Sequence, residues 1–255
     1  MLTGYNEAFI ISTDKRNEIL NNCLSADERK RTEELIRPIL RGKDIKRYSY
    51  DWADLWLINT HNGIRGVKER IHIEDYPAIK THLDQYWNKI SKRADKGDTP
   101  YNLRNCAYLD DFNKPKIVYI EIMTDNPNDG YEFPAFAYDE IKAVVLNTAY
   151  IMVSDTHNIK YILGILNSSL GRYLLKLYVS QLGERQFRML HQFITKVPLP
   201  IVDKTKEETI ASIVENVIKL KGNLNEKKLQ ENIINHKVYE LYGLSKDEID
   251  FIANL

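Results

Sequence analysis

The residues best suited to chemistry in this sequence are cations placed beside glycine. Arg41-Gly42-Lys43 follows an apolar Ile-Leu step, and Lys46 and Arg47 lie shortly after it. Glycine lets the backbone approach a ligand more closely than a side chain would allow, and the flanking cations attract anions. This arrangement is typical of a turn that grips phosphate. A solvated basic turn between a helix and a strand is the alternative interpretation.

A second candidate stretch, Ser180–Arg188, combines glutamines and arginines with one glycine. These residue types make paired hydrogen bonds to the edges of adenine and guanine. We therefore expect a flexible stretch that reads bases, whereas the lysines and arginines of Arg41–Arg47 suit phosphates, which position a protein without specifying a sequence. An exposed polar loop without a ligand is again the alternative.

Motifs that would carry catalysis are incomplete. A DNA methyltransferase that flips its target base needs an Asn-Pro-Pro-aromatic loop to hold that base. Asn126–Asp129 lacks the second proline and the aromatic residue, so we interpret it as a turn. A metal-dependent nuclease needs converging carboxylates, and Asp129, Glu140 and Lys142 match that pattern only superficially. The histidines form no HExxH motif and no cluster with cysteine, so the residues favour binding over catalysis.

The charged residues are unevenly distributed although the formal net charge is zero, with 36 basic and 36 acidic residues. Arg29–Arg47 holds eight Lys or Arg residues and three acids, and Lys160–Lys196 holds six and one, so each stretch carries +5. Arg104–Glu140 holds three basic residues and eight acids, a charge of −5. The neutral total argues against an indiscriminate polycation, and two basic zones are compatible with one positive face for a polyanion.

Length and composition predict a soluble cytoplasmic protein. The chain has 255 residues with 43% hydrophobic content, enough for a core of its own. Cys23 and Cys106 show no CxxC spacing, so we expect reduced structural thiols. We expect no membrane interaction, because no apolar run approaches the roughly 18 residues of a membrane span.

Apolar periodicity predicts a mixed α/β body up to about residue 200 and a helical tail after it. The predicted strands are Phe9–Ser12 followed by a turn at Thr13–Arg16, Leu55–Asn59, Lys116–Ile122, Phe136–Tyr138 and Ala149–Val153. The predicted helices are Lys15–Leu20, Ala26–Ile36, Asp75–Arg93, Tyr161–Leu177 with a break near Asn167-Ser168, and two tail helices that end at Gly222 and Gly243.

Two capping boxes are predicted in the tail. Thr205 with Glu208 and Ser245 with Glu248 each place a hydroxyl three residues before a glutamate, which is the signature of a helix start. The tail helices carry apolar stripes that must pack on each other or on another region of protein.

Seven short stretches occur in an order that is typical of one family. They are Ile36–Tyr48, the strand with Asn59, Leu103–Tyr108, Lys114–Tyr119, Tyr161–Ser168, Val197–Pro200 and Val238–Leu244. Together they resemble the TaqI-like specificity domain of type IIG restriction-modification enzymes, over nearly the whole chain from about Gly4 to Ile252. The fold that this implies is similar to that of type I specificity subunits, a mixed α/β recognition domain followed by spacer helices.

The resemblance implies that residues 1–200 form a target recognition domain that reads a short double-stranded DNA sequence. Residues 201–255 would be a helical spacer that packs on it or on a partner domain. The target site would be presented to methyltransferase and endonuclease regions in cis or in trans. S-adenosylmethionine and a divalent metal would belong to those regions, so this chain would not itself be an enzyme. We expect an excised domain or the C-terminal part of a longer protein.

The resemblance also orders the candidate site. It puts Arg41-Gly42-Lys43 at the DNA-facing start of the domain and Ser180–Arg188 in the variable recognition region. The candidate DNA-binding residues are Arg41, Lys43, Lys46, Arg47, Arg65, Lys68, Arg104, Gln181, Arg185, Gln186 and Arg188. Two alternatives stay open: a metal-dependent nuclease that uses Asp129, Glu140 and Lys142, and an assembly subunit that docks a partner through the helical tail.

Overall fold

A computed structural model describes residues 2–126, 132–220 and 223–254. Within these residues the chain is a mixed α/β protein with three small sheets, interspersed helices and a helical C-terminal region, which confirms the predicted class. No helix in this part of the chain is long and apolar enough to cross a membrane.

The elements of the described residues are numbered in chain order. The strands are β1 (Ile10–Ser12), β2 (Ile36–Leu40), β3 (Leu55–Ile58), β4 (Lys116–Ile120), β5 (Ile122–Thr124), β6 (Phe136–Asp139), β7 (Val144–Val145), β8 (Ala149–Met152), β9 (Ser180–Gly183) and β10 (Gln186–Arg188). The helices are α1 (Asn6–Phe9), α2 (Thr13–Asn21), α3 (Ala26–Leu35), α4 (Pro77–Asp84), α5 (Trp87–Ile90), α6 (Ile159–Asn167), α7 (Ser169–Tyr178), α8 (His191–Ile194), α9 (Lys204–Lys219), α10 (Leu224–Tyr242) and α11 (Lys246–Ala253). Short 3-10 turns lie at Gly42–Asp44, Ile73–Asp75 and Leu109–Asn113.

The chain folds into two compact units whose segments alternate along the sequence. Unit 1 comprises Met1–Arg41, Trp52–Lys114 and Ile141–Asn147. Unit 2 comprises Gly42–Asp51, Pro115–Glu140 and Thr148–Leu255, so α9 to α11 belong to the same unit as α6 and α7. The domain boundary at residue 200 stays a prediction.

Unit 1 is built on a sheet in the order β1-β3-β2-β7, in which only the β2–β7 pair is parallel. The turn predicted at Thr13–Arg16 is wrong, because α2 begins at Thr13 directly after β1. The Ser12 hydroxyl accepts the Lys15 backbone N–H at 3.2 Å and thereby caps the helix at its first turn. A strand end and a helix start therefore share one residue.

The long helix predicted over Asp75–Arg93 is two shorter helices, α4 and α5. The chain leaves helical geometry at Tyr86, whose ring lies 6.1 Å from that of Tyr5 and 5.4 Å from that of His82. The aromatic contacts of Tyr86 therefore lie at the place where α4 has ended and α5 begins. Ile79, Leu83 and Ile90 on these two helices are all buried.

Unit 2 contains two antiparallel sheets, with orders β6-β4-β8 and β5-β10-β9. The single strand predicted at Lys116–Ile122 is interrupted at Glu121, which lies between β4 and β5. The Glu121 N–H donates to the Thr148 carbonyl at 3.0 Å, and the Glu121 carbonyl accepts the Met189 N–H at 2.7 Å. The backbone of Glu121 therefore connects the β6-β4-β8 sheet to the β5-β10-β9 sheet.

The helices of unit 2 bury their apolar stripes against each other. The break predicted near Asn167-Ser168 is confirmed, because Ser168 separates α6 from α7 and caps α7 through the Gly171 N–H. Helix α9 lies very close to α6: a Cβ atom at Gly164 would be 2.8 Å from Cγ2 of Ile210. The tail stripe of Ile210, Val214 and Val217 is buried in this way within the chain itself.

The predicted helix starts in the tail have different outcomes. The box at Thr205 and Glu208 is wrong, since α9 begins at Lys204 and is capped by the Asp203 carboxylate, which accepts the Lys206 N–H at 2.9 Å. The box at Ser245 and Glu248 is confirmed with both of its hydrogen bonds. Helix α10 ends, as predicted, before Gly243, which has a left-handed φ of 65°. Gly222 lies outside the described residues.

A buried carboxylate fixes the start of α9 on the start of α6. Glu207 accepts the Asn158 backbone N–H at 3.0 Å and a hydrogen bond from the His157 ring. Burial acts to raise the pKa of Glu207, but the hydrogen bonds from Asn158 and His157 outweigh it, and the net pKa is lowered from the ordinary 4.5. The unfolded chain then binds this proton more readily, so the stabilisation is full above about pH 5 and is lost as pH falls through the lowered pKa.

We predict that Glu207→Gln lowers the free energy of unfolding at pH 7 by about 1–3 kcal/mol, since hydrogen bonds to a buried charged group are replaced. Urea denaturation at pH 7 and near pH 3.5 measures this, and the difference from wild type should shrink at the lower pH. Glu208→Gln, one residue along and exposed, is the matched control and should change little at either pH. A loss independent of pH would contradict the carboxylate's role.

Candidate nucleic-acid interface

The basic turn after β2 is held against the protein's own sheet. Gly42–Asp44 form a 3-10 turn in which a Cβ atom at Gly42 would lie 3.2 Å from Cγ2 of Ile120 and 3.6 Å from Oγ1 of Thr148. The close approach that glycine allows is therefore made to the end of β4. Lys43 at the centre of this turn is exposed, and no described residue forms an ion pair with it.

Three cations near the turn are less exposed than Lys43. Arg41, which ends the first segment of unit 1, and Lys46 are half-buried. The Arg47 side chain is only 11% exposed, and its Nε lies 3.3 Å from Oε1 of Glu231. Its other nitrogens donate to two backbone carbonyls, those of Pro134 at 3.1 Å and Asn167. The Arg47 guanidinium thus ties the turn to α6 and α10.

A buried ion pair positions the segment that follows the turn. Lys116 and Asp139 face each other across β4 and β6, and both side chains are completely buried. The Tyr50 hydroxyl donates to Oδ1 of Asp139 at 3.3 Å, and the Tyr48 N–H donates to the Phe136 carbonyl at 2.7 Å. Burial, and then the charge of Asp139, raise the pKa of Tyr50. Residues 42–51 are therefore fixed along β6.

The stretch Ser180–Arg188, predicted to be flexible, is instead the ordered hairpin of β9 and β10. Strand β10 pairs with β5 on one side and with β9 on the other. Phe187 in its centre is buried, with its ring 5.1 Å from that of Phe133. One buried aromatic residue therefore anchors a strand that is otherwise polar. The sequence reasoning missed this because it weighed the polar residues and the glycine alone.

The hairpin presents its polar side chains to solvent. Gln186 and Arg188 flank the buried Phe187, so both point away from the core, and both are exposed. Gln181 donates from Nε2 to the Glu184 carbonyl at 3.0 Å, which closes the hairpin turn. Arg185 in that turn is also exposed. The structure brings these four predicted residues together on one element.

Glu121 links the hairpin to the basic turn, and the sequence analysis did not select it. Its backbone bonds to Thr148 and Met189 as described above, and its carboxylate forms an ion pair with Arg188 at 2.8 Å. Gly42 in the basic turn packs against Ile120, which precedes Glu121, and against Thr148, which accepts the Glu121 N–H. The turn with Lys43 and the hairpin with Arg188 therefore border the same end of the β6-β4-β8 sheet. We call this region the β4-end surface.

Electrostatics at the β4-end surface also involve Tyr150. Its ring stacks on Tyr119, with centroids 5.5 Å apart and planes at 24°. Burial raises the pKa of the Tyr150 hydroxyl, the negative charge of Glu121 raises it further, and Arg188 opposes this. The hydroxyl therefore stays a neutral hydrogen-bonding group at physiological pH.

Two cations on α7 are paired with an acid beside the hairpin. Arg172 donates from Nη2 to both oxygens of Asp125, at 3.0 and 2.9 Å, and Lys176 pairs with the same carboxylate. Burial acts to raise the pKa of Asp125, but the bonds from Arg172 and Lys176 lower it overall. The Asp125 N–H donates to the Arg185 carbonyl at 2.9 Å. The four-residue spacing of Arg172 and Lys176, which puts them on one helix face, was the signal available in the sequence.

The remaining predicted cations lie in unit 1. Arg65 is exposed on a tight turn closed by the Ile64–Lys68 bridge, which borders an open concavity of about 670 Å³. Lys68 pairs with Asp110 at 2.9 Å, and Arg104 pairs with Asp95 at 3.2 Å. These three cations belong to unit 1, whereas the turn and the hairpin of the β4-end surface belong to unit 2.

The residues of the alternative nuclease site lie partly at the boundary between the two units. Glu140 ends a segment of unit 2, whereas Lys142 belongs to unit 1. The Lys142 carbonyl accepts a hydrogen bond from Arg37, and its φ is 60°. Asp129 lies outside the described residues. Within residues 2–126, 132–220 and 223–254, no three His, Cys, Asp or Glu side chains are grouped as a metal ion would require.

Fold and surface together define a mixed α/β domain with an exposed polar hairpin beside a basic turn. The sequence model of the TaqI-like C-terminal specificity domain matches residues 37–201. The chain therefore belongs to this family of specificity, or target recognition, domains of restriction-modification enzymes, and the resemblance found in the sequence is confirmed.

One curated relative extends beyond this chain. The chain is 22% identical over 228 residues to the type II methyltransferase M.BstVI of Geobacillus stearothermophilus. This match covers 87% of the chain and 36% of that protein. The chain thus spans about a third of the length of the relative it matches.

We predict that Lys116→Ala and Asp139→Ala each lower the free energy of unfolding by about 3–5 kcal/mol, because each leaves an uncompensated buried charge. Urea denaturation at pH 7 measures the loss. The double variant Lys116→Met, Asp139→Leu should lose much less than the sum, since no buried charge remains.

The matched control for this pair is Lys114→Ala, two residues before Lys116. Lys114 is exposed and pairs with Asp111 on the surface, so its loss should cost less than about 1 kcal/mol. A double variant as unstable as the two single variants combined would contradict the proposed coupling.

Proposed function

We propose that this chain is a sequence-specific double-stranded DNA recognition module of a restriction-modification enzyme. Membership of the specificity-domain family supports recognition of a DNA target. The observation that carries the proposal is the β4-end surface, whose hairpin holds the exposed Gln186 and Arg188 and whose turn holds the exposed Lys43. The hairpin would supply contacts to bases and the turn would supply a contact to phosphate.

The dimensions of the hairpin suit the major groove. That groove is about 12 Å wide and admits a two-stranded β-ribbon. Gln186 and Arg188 are two residues apart on one strand, hence about 6.6 Å along it, close to the rise of two base pairs. Glutamine suits adenine and arginine suits guanine at such base edges. Two side chains of one strand would thus read base pairs that are two steps apart.

The remaining candidate residues fall into three groups in this proposal. Arg185 and Gln181 extend the hairpin, and Arg41 and Lys46 flank the turn. Arg65, Lys68 and Arg104 would add phosphate contacts from unit 1. We leave Arg47 out of the surface, because its guanidinium is buried in contacts to Glu231 and two carbonyls.

Catalysis would reside in methyltransferase and endonuclease regions joined in cis or in trans. The relative named above is a methyltransferase, and about two thirds of it lies outside the match. S-adenosylmethionine and a divalent metal would bind in those regions. Neither alternative function is favoured by a specific observation: the described residues hold no group of three His, Cys, Asp or Glu side chains that could bind a metal ion, and the α9 stripe is buried against α6.

Selection of bound duplexes from a random pool tests the proposal. The full chain should enrich one short sequence, and its affinity for that sequence should exceed its affinity for unrelated duplexes. The affinity should also fall as salt rises, because phosphate contacts release counterions. Equal binding of all duplexes, even at low salt, would refute sequence-specific recognition.

We predict that Lys43→Ala and Gln186→Ala have different effects on binding. Lys43→Ala should weaken binding to all duplexes alike and reduce the slope of log affinity against log salt by about one unit. Gln186→Ala should change which base is preferred at one position and leave the salt slope unchanged. Fluorescence anisotropy over a salt series on the selected and single-mismatch duplexes measures both effects.

Exposed residues on other elements of unit 2 provide controls for this prediction. Lys246→Ala removes the same charge from α11, and Gln192→Ala removes the same amide from α8. Neither should change affinity, salt slope or base preference. An equal loss on every duplex from both Lys43→Ala and Gln186→Ala would contradict the division of labour.

A further inference from the structure

We infer that the Glu121–Arg188 pair is a preorganised guanine-reading unit, in which Arg188 contacts the base and Glu121 is a positioning residue. This inference rests on the proposed function, since it requires DNA at the β4-end surface. Arg188 is thereby assigned to a guanine, and Glu121, an acidic residue that belongs to no recognised motif, is assigned a role.

The geometry of the pair leaves part of the guanidinium available. Arg188 donates from Nε to Oε1 of Glu121 at 2.8 Å, and its Nη2 lies 2.8 Å from the same oxygen. One edge of the planar group is therefore occupied by a single carboxylate oxygen. An arginine has five N–H donors in a rigid fork. The donors of Nη1 and one donor of Nη2 remain, and no other described residue bonds to them.

Both members of the pair are held by their backbones. Arg188 pairs with Ile122 of β5 and with Ser180 of β9, so β10 is supported on both sides. The Glu121 backbone is bonded to Thr148 and Met189. A side chain fixed at its backbone and at one guanidinium edge loses little further conformational entropy when its free edge binds a ligand.

The free edge matches guanine in particular. Guanine presents two acceptors, O6 and N7, in the major groove, and a bidentate contact from arginine is the commonest specific contact in protein–DNA complexes. Adenine presents one acceptor and one donor there, and its donor would face the guanidinium hydrogens. A fixed Arg188 therefore favours guanine over adenine.

The charge of Glu121 supports a role in specificity. A carboxylate on a surface that meets DNA repels the phosphate backbone and lowers affinity for every duplex. An exposed ion pair of this kind adds little to stability. Its chemical effect at this place is to orient Arg188. Arg185 is exposed and has no carboxylate partner among the described residues, which suits a mobile contact to phosphate.

The test compares three variants with a charge-matched control. Arg188→Ala removes the proposed contact, and Arg188→Lys keeps the charge and the aliphatic stem but loses the fork. Glu121→Gln removes the orienting charge. Glu184→Gln makes the same charge change in the hairpin turn, at an exposed residue away from the Arg188 guanidinium. Circular dichroism of each full-length variant verifies that it is folded.

Binding is measured on the sequence selected by wild type and on duplexes in which each guanine is replaced in turn by 7-deazaguanine or adenine. Wild type should lose roughly tenfold or more at one guanine, as a lost bidentate contact predicts. Arg188→Ala and Arg188→Lys should become insensitive to that same replacement. Glu121→Gln should bind unrelated duplexes at least as well as wild type but lose most of the guanine preference there.

The outcomes separate this inference from the proposed function. Guanine sensitivity retained at every position by the Arg188 variants would overturn the assignment of the base. A Glu121→Gln variant indistinguishable from Glu184→Gln would overturn the positioning role, because both remove one negative charge. Absence of any sequence preference in wild type would refute the proposed function and the inference with it.

Discussion

The candidate DNA-binding surface depends on one buried ion pair in the middle of unit 2. Lys116 and Asp139 join β4 to β6 at a fully desolvated position, where each charge requires the other. Tyr50 bonds to the same carboxylate and holds residues 42–51 along β6. The far end of β4 is followed by Glu121 and then by β5, which pairs with β10 of the hairpin. Removing only one member of this pair would therefore destabilise both the basic turn and the sheet on which it rests.

Acidic residues explain why the local charge of a sequence window does not give the charge of a surface. The stretch Arg104–Glu140 carries −5, and its carboxylates serve as partners for cations from other parts of the chain. Asp125 binds Arg172 and Lys176, and Glu121 binds Arg188. Much of the positive charge predicted for Lys160–Lys196 is thus neutralised on the protein. Lys43 is exposed and has no such partner among the described residues, so its positive charge is less neutralised than the charges of its neighbours.

Local patterns predicted those elements that local energies decide. The α6–α7 break follows from Ser168, which caps the second helix, and the end of α10 follows from Gly243. Prediction failed where a neighbour distant in sequence decided the structure. The Asp75–Arg93 helix is divided at Tyr86, whose ring lies 6.1 Å from that of Tyr5, and these two residues are brought together only by folding.

For the candidate site, the residue types could be predicted from the sequence, but the residues that hold them in place could not. Gln186 and Arg188 alternate with the apolar Phe187, which is the pattern of a half-buried strand. Strand β10 could therefore have been predicted from the sequence. Glu121 is the harder case, since it lies between Ile120 and Ile122 in an apolar run that a simple pattern assigns to one strand. A lone acid in such a run either faces solvent or marks the place where the strand changes partners. Here it does both, because its backbone joins two sheets while its carboxylate holds Arg188 at the surface.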